Sequence, residues 1–345
     1  MYNTSTTSTD VINLIKPMVP LTTNTNIDNI SLKFNVTLKN PSAADVTVTP
    51  AELLNSVTKV KITSNGNVAL FDTDGFGIAI LNAFRKTKSV SPFHRIGNTT
   101  VPANKTVQKK FFLRIDEGDI ISALLKQLYL EVNFAHNVKE TATSGTYITI
   151  ESASVTYTTS EAVIEDRNTD LINIYGPNGE YTANPKIYEM SVDVPANTTL
   201  VPQLPLQYGC LIRRAIVLLY GKDGNGNYTP SPELTPDAIG FIATNPNRQI
   251  LIDTDGEQWL ENQLNDYFID DYTGAPRGAY LMDFANTLAA DGYGLKGWRF
   301  GVDDFQLAVK VPTACKMRVI FVEHVVNTKE FDSGRAFLLE SPTGF

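Results

Sequence analysis

Charge is scarce in this 345-residue chain: Asp, Glu, Lys and Arg make up 19%, below the roughly 25% of an ordinary soluble domain. Basic residues are the scarcer sign, 29 against 37 acidic, for a net charge of −8. That balance argues against a nucleic-acid binder, which needs a concentrated basic face. Two cysteines exclude a disulfide-stapled scaffold. The three histidines, His94, His136 and His324, stand far apart, and no HExxH, HxH or Cys/His cluster supplies the usual zinc signature. No apolar run approaches the roughly 18 residues of a membrane span. There is no GxSxG, and the Gly-rich run Gly221–Asn227 lacks the Lys-Ser/Thr pair of a phosphate loop. Catalysis has no positive signal.

What fills the space is apolar and neutral polar. Hydrophobic residues are 42% of the chain, ample for a sizeable core, and Ser, Thr and Asn total 82. The apolar residues mostly alternate. Leu32, Phe34, Val36 and Leu38 form one half-buried strand pattern, Leu128, Leu130, Val132 and Phe134 a second, and Phe305, Leu307, Val309 and Val311 a third. Further strands are predicted over Val57–Ser64, Val107–Ile115, Tyr147–Tyr157, Ile187–Val194, Ile212–Tyr220 and Met317–Val326. Turn clusters such as SNGN, GKDGNGN and NPNR separate them, so the fold class is all-β, sandwiches or barrels with few helices.

An internal repeat organises these strands. Val68-Ala69-Leu70-Phe71-Asp72-Thr73-Asp74-Gly75 matches Gln249-Ile250-Leu251-Ile252-Asp253-Thr254-Asp255-Gly256 at an offset of 181 residues. In each copy an apolar strand runs into DTDG and a helical pattern follows. The preceding strands are matched as Val57–Gly66 with Ile212–Gly221, which requires 26 extra residues, 222–247, read as a long loop. Three strand patterns follow each motif. Two β-sandwiches of one topology result: residues 26–165 and 186–330, joined by a linker at 166–185, with a flexible N-terminal arm at 1–25 and a C-terminal tail at 331–345. The arm begins MYNTSTTSTD, too polar to fold alone, and contains no basic-then-apolar export signal.

Two tandem sandwiches with a polar arm, no export signal and a long loop resemble the double jelly-roll major capsid proteins of the adenovirus lineage, which includes tailless icosahedral viruses with an internal membrane. Length and Asn/Thr-rich texture are most similar to the archaeal turreted icosahedral branch. The resemblance implies a structural, non-enzymatic coat protein whose homotrimers are pseudo-hexamers that tile an icosahedral shell. It implies location in the virion, with assembly in the host cytoplasm, and partners among other copies and minor capsid or vertex proteins. Contact with an internal membrane would run through Met1–Leu21 or Phe331–Phe345, and no direct nucleic-acid contact is implied. The alternative is a carbohydrate-binding or adhesive two-sandwich protein; a glycan-active enzyme stands behind it.

Asp72 and Asp74, or Asp253 and Asp255, could offer oxygens to calcium, but Asp before a helix is first a cap, and neither copy completes a calcium loop. No metal or cofactor is expected. The pairs Asp116/Glu117 and Asp303/Asp304 read as turns between strands rather than a glycosidase pair. Cys210 and Cys315 read as free, buried thiols, with one disulfide as the alternative. Of seven Asn-x-Ser/Thr sequons (Asn3, Asn29, Asn35, Asn98, Asn104, Asn197 and Asn227), Asn227 is the best glycosylation candidate because it sits in the predicted loop; Asn197, Asn98 and Asn104 follow. Lys105, Lys109, Lys110 and Arg114, interleaved with Phe111 and Phe112, form the densest basic stretch and read as one solvated strand face.

Overall fold

The computed structural model describes residues 5–6, 9–14, 18–23, 25–64, 68–84, 91–117, 120–122, 125–163, 183–204, 211–222, 228–230, 234–243, 249–267, 278–284, 298–299 and 305–326. The chain divides into two compact units, the first built from Met1–Arg85 and Ser89–Arg167, the second from Asn168–Tyr272 and Pro276–Phe345.

The first unit contains strands β1 (Ser5–Thr6), β2 (Thr9–Asn13), β3 (Met18–Pro20), β4 (Thr25–Lys39), β5 (Val46–Val48), β6 (Val57–Ser64), β7 (Val68–Thr73), β8 (Thr99–Val101), β9 (Thr106–Ile115), β10 (Ile120–Ile121), β11 (Leu128–Phe134), β12 (Asn137–Glu140) and β13 (Tyr147–Val163). Its helices are α1 (Pro50–Asn55), α2 (Gly75–Ala83) and α3 (Pro92–Ile96). One antiparallel sheet runs β2-β13-β4-β9 and the other β3-β11-β6-β7. The alternation read from the sequence selects the buried faces: Leu32, Phe34, Val36 and Leu38 point inward, and Ser31, Lys33 and Lys39 point out. Phe34 stacks on Phe111 across the β4–β9 ladder with ring centroids 4.6 Å apart, and the ring of Phe134 meets it edge-on at 6.2 Å. The two buried rings, Phe34 and Phe111, are each worth about 1.5–3 kcal/mol in area removed from water.

The second unit contains β14 (Ala183–Val194), β15 (Leu211–Lys222), β16 (Tyr228–Pro230), β17 (Ala238–Ala243), β18 (Gln249–Thr254), β19 (Ala279–Asp283), β20 (Trp298–Arg299), β21 (Phe305–Lys310) and β22 (Cys315–Val326), with helix α4 (Gly256–Tyr267). One sheet runs β14-β22-β15-β19 and the other β21-β17-β18. A bridge between Leu200 and Val309 flanks β21 as β3 flanks β11 in the first unit. Its core joins Val217 and Leu219 of β15, Val319 and Phe321 of β22, and Phe241, Leu307, Trp259, Tyr280 and Phe284.

The two orders are the same strand for strand: β2, β13, β4 and β9 correspond to β14, β22, β15 and β19, and β11, β6 and β7 to β21, β17 and β18. The all-β reading therefore holds. Two readings do not. The described part of residues 1–25 is not a free arm, because β2 pairs with β13 and β3 with β11; Val19 is fully buried, and the Leu21 amide donates to the Leu128 carbonyl at 2.8 Å. Strands this short, interrupted by Pro17 and Pro20, carry too few alternating residues to show as a pattern, and only their sheet neighbours fix them. Nor is 222–247 one loop. It contains β16 and β17, and β17 is the central strand of its sheet, with Ile239 and Phe241 fully buried. The strand that precedes the motif in the second unit is therefore β17, and β15 corresponds to β4. Of the proposed linker, Ala183–Pro185 already belong to β14; the rest of it and the tail at 331–345 lie outside the described residues.

Candidate functional site

Both copies of the repeated motif build one junction. β7 and β18 end at Thr73 and Thr254, an Asp-Gly follows each, and that Asp caps the next helix. Asp74 Oδ1 accepts from the Gly77 amide at 2.6 Å, and Asp255 Oδ1 from the Gln258 amide at 2.8 Å. The glycine after each cap is required by space. A Cβ at Gly75 would lie 2.7 Å from Val57 Cβ and 2.8 Å from the Leu54 carbonyl oxygen; at Gly256 it would lie 2.5 Å from Pro236 Cδ. Asp72 faces Lys61 across the ladder at 3.4 Å, and Asp253 pairs its backbone with Gly240, its side chain lying outside the described ones. Among the described residues no three His, Cys, Asp or Glu side chains stand together as metal ligands. Of the three carboxylates seen, two act as helix caps and one as an ion-pair partner.

A second element of the repeat escaped the sequence reading. Seven positions after the glycine, each helix carries a carboxamide, Asn82 or Gln263, again 181 residues apart. Asn82 Nδ2 donates to the Arg114 carbonyl at 2.7 Å, and the Arg114 amide donates back to Oδ1 at 2.8 Å. Gln263 Nε2 donates to the Ala279 carbonyl at 3.1 Å and its Oε1 accepts from the Leu281 amide. Each amide thus pairs with the backbone of β9 or β19 as another strand would, satisfying an edge that would otherwise invite foreign pairing. The Trp259 indole adds a bond to the Leu281 carbonyl at 2.9 Å. The shared offset was the available signal, though Asn and Gln differ by a methylene and do not read as a match.

The outward positions of the two helices diverge. In α2, Phe76, Gly77, Ile80 and Leu81 are all buried; their counterparts in α4, Glu257, Gln258, Glu261 and Asn262, are all exposed. The sheets diverge too. On β14-β22-β15-β19 the face turned away from the unit's core buries Ile187, Ile216, Leu218, Leu281, Ile320 and Val322 beside the charged side chains of Arg214, Asp283, Glu189 and Arg318, the last two paired with each other. On β13-β4-β9 the corresponding face is polar: Ser154, Thr156 and Thr158 from β13, Ser31, Lys33 and Asn35 from β4, and Lys110, Phe112 and Arg114 from β9. The basic stretch is therefore split by the pleat. Phe111 enters the core, and Lys109 turns to donate to the Ile96 carbonyl at 2.6 Å, burial lowering its pKa. Phe112, 56% exposed, stays outside opposite Lys33 and between Lys110 and Arg114; Arg114 Nε lies 3.2 Å from Asp116.

The remaining candidates fall apart in space or outside the described residues. Asn98, Asn104 and Asn197 are exposed, the last two in left-handed turns with φ of 54° and 56°, while Asn3 and Asn227 lie outside the described residues. Asn29 and Asn35 sit half-buried on β4. Cys315 is a buried free thiol whose pKa is pushed up to about 11, by burial first and then by the charge of Asp193. Cys210, Asp303 and Asp304 lie outside the described residues, as does the side chain of His324; His94 and His136 are exposed on separate elements. At Glu131 burial alone would raise the carboxyl, but hydrogen bonds from Lys59 and Asn133 and the charges of Lys59 and Lys61 outweigh it and hold the pKa low. Among the described residues no helix is long and apolar enough to cross a membrane.

No protein-family model and no curated protein matches the sequence. Solved structures do match in fold. The major capsid protein of Sulfolobus turreted icosahedral virus superimposes with a TM-score of 0.67 at 16% identity, over 95% of this chain and 98% of that one. The fold is a double jelly roll. The major capsid protein of bacteriophage PM2 shares it at a TM-score of 0.53 and 12% identity, over 93% of this chain and 99% of that one. A chain of the PBCV-1 virus capsid does so at 0.54 and 12%, over 94% and 95%. Coverage from end to end means that both jelly rolls, not one, are matched.

Proposed function

We propose that this double jelly roll is a structural major capsid protein, without enzymatic activity, that self-assembles as pseudo-hexameric trimers into an icosahedral virion shell in the host cytoplasm. The observation that carries the reading is the end-to-end likeness to viral capsid proteins, including the order of two strand-for-strand equivalent sandwiches. Two similar units in one chain give three chains six similar wedges, which suits a near-sixfold lattice position. Low charge fits the same role, since fewer ions need to be desolvated when polar sides meet.

The test is the mass of the full-length protein by light scattering, with electron microscopy of the same sample. A particle of about 114 kDa, three times the 38.0 kDa chain, with a six-lobed outline or with sheets of such particles, is expected. A chain that stays monomeric at high concentration, with no ordered particles, overturns the reading.

A further inference from the structure

We propose that the exposed face of β13-β4-β9 receives the acidic outward face of α4 from a second copy of this chain. This rests on the self-assembly reading and names the surfaces that carry it. Each unit possesses a helix after its DTDG turn and a sheet face turned away from its own core, so the chain holds two of each. One helix, α2, is buried and apolar at its outward positions, and one sheet face, that of the second unit, buries an apolar centre of Ile187, Ile216, Leu218, Ile320 and Val322 beside the Glu189–Arg318 pair. Their counterparts are the two surfaces left in water, and they differ in charge.

The uncovered helix presents Glu257 and Glu261, with Asp255 at its cap, and no Lys or Arg occurs from Asp255 to Tyr267. The uncovered sheet face presents Lys33, Lys110 and Arg114 around Phe112, in a chain whose net charge is −8. Asp116 lies beside Arg114, and Glu151 pairs with Lys39 farther along the same sheet. The surface sets cations around one exposed aromatic ring, flanked by the short, half-buried hydroxyl side chains of Ser154, Thr156 and Thr158. The ring supplies apolar contact and the cations meet acid. Both surfaces belong to every copy, so one copy's helix can dock on the next copy's sheet while its own sheet stays open, a head-to-tail contact that closes into a ring when the rotation allows.

Charge reversal in the full-length protein tests this. The basic-face variant K33E/K110E and the acidic-face variant E257K/E261K should each weaken self-association at least about tenfold, read as the concentration at which the light-scattering mass falls to that of a monomer. All four positions are exposed, so melting should stay near wild type in both. The chain carrying all four reversals should recover association, because opposite charges meet again; a merely damaged surface would not recover. Reversals that leave the association of a self-assembling wild type unchanged overturn this pairing while the assembly reading stands. The same holds if K33E/K110E leaves association intact and abolishes binding to phosphatidylserine vesicles, since the face would then belong to a lipid surface. A wild type that never associates removes both.

Discussion

Helices α2 and α4 occupy one place in two copies of the same fold, and the comparison separates what the fold demands from what its surroundings demand. Inward, the roles coincide: an Asp cap, a Gly pressed against the preceding segment, an apolar side chain at Ile78 or Trp259, and a carboxamide clamped to the edge of the next strand. Outward, nothing coincides. Phe76, Ile80 and Leu81 give way to Glu257, Glu261 and Asn262, because one surface is buried and the other meets water. Equivalent backbone positions carry letters set by solvent, which is why the repeat shows as only a few shared residues at the cap.

The sharpest way to break that comparison is to exchange outward residues. Ile80→Glu places a carboxylate where the side chain is fully buried, and should cost about 3–5 kcal/mol or prevent folding. The reciprocal Glu261→Ile changes an exposed position and should leave stability within about 0.5 kcal/mol. Thermal unfolding followed by circular dichroism reads both, and similar losses would show that the outward faces are not differently buried. The glycines should behave alike instead. Gly75→Ala and Gly256→Ala each force a Cβ within 2.8 Å of a neighbour, and each should cost about 1–3 kcal/mol. A loss in only one would mean that its neighbour can yield.

These pairs also show how far the sequence could be read. Alternation placed β4, β9, β11, β13 and β22 because each has enough residues to display a period of two, and the DTDG repeat located both helix starts. β2 and β3 show no pattern, being only five and three residues long, with Pro17 between them and Pro20 closing β3; their pairing partners lie more than a hundred residues away. β17 reads as loop because Ala-Ile-Gly-Phe-Ile-Ala is flanked by prolines and turn residues, and nothing local says that it is a central strand. The basic stretch was legible as a strand, but its splitting by the pleat removed Lys109 and brought in Lys33, a residue 77 positions from Lys110 in sequence and across the ladder in space. Contacts between distant segments are what a linear reading omits.

Smaller effects sharpen the inward half of the comparison. Asn82→Ala and Gln263→Ala each strand a backbone donor and acceptor at a strand edge. A cost of about 1–3 kcal/mol is expected for each, with faster hydrogen exchange at the Arg114 amide in the first and the Leu281 amide in the second. Protection unchanged at those amides would mean that the clamp is dispensable.

The smallest difference between the units is one of pH. In the first, the depressed Glu131 carboxyl contributes stability that is present above its unfolded pKa and is lost as pH falls through the lower, folded value. In the second, the Cys315 thiol is raised to about 11, so its contribution is full below the unfolded value near 8.5 and fades as pH climbs between the two. Acid should therefore loosen the first unit through Glu131, and alkali the second through Cys315. Glu131→Gln should flatten only the acid limb of a stability-against-pH curve, and Cys315→Val only the alkaline limb. The acid effect is the weaker, because the Glu131–Lys59 pair is partly solvated and screened by salt, whereas a buried thiol has no water to stabilise its thiolate.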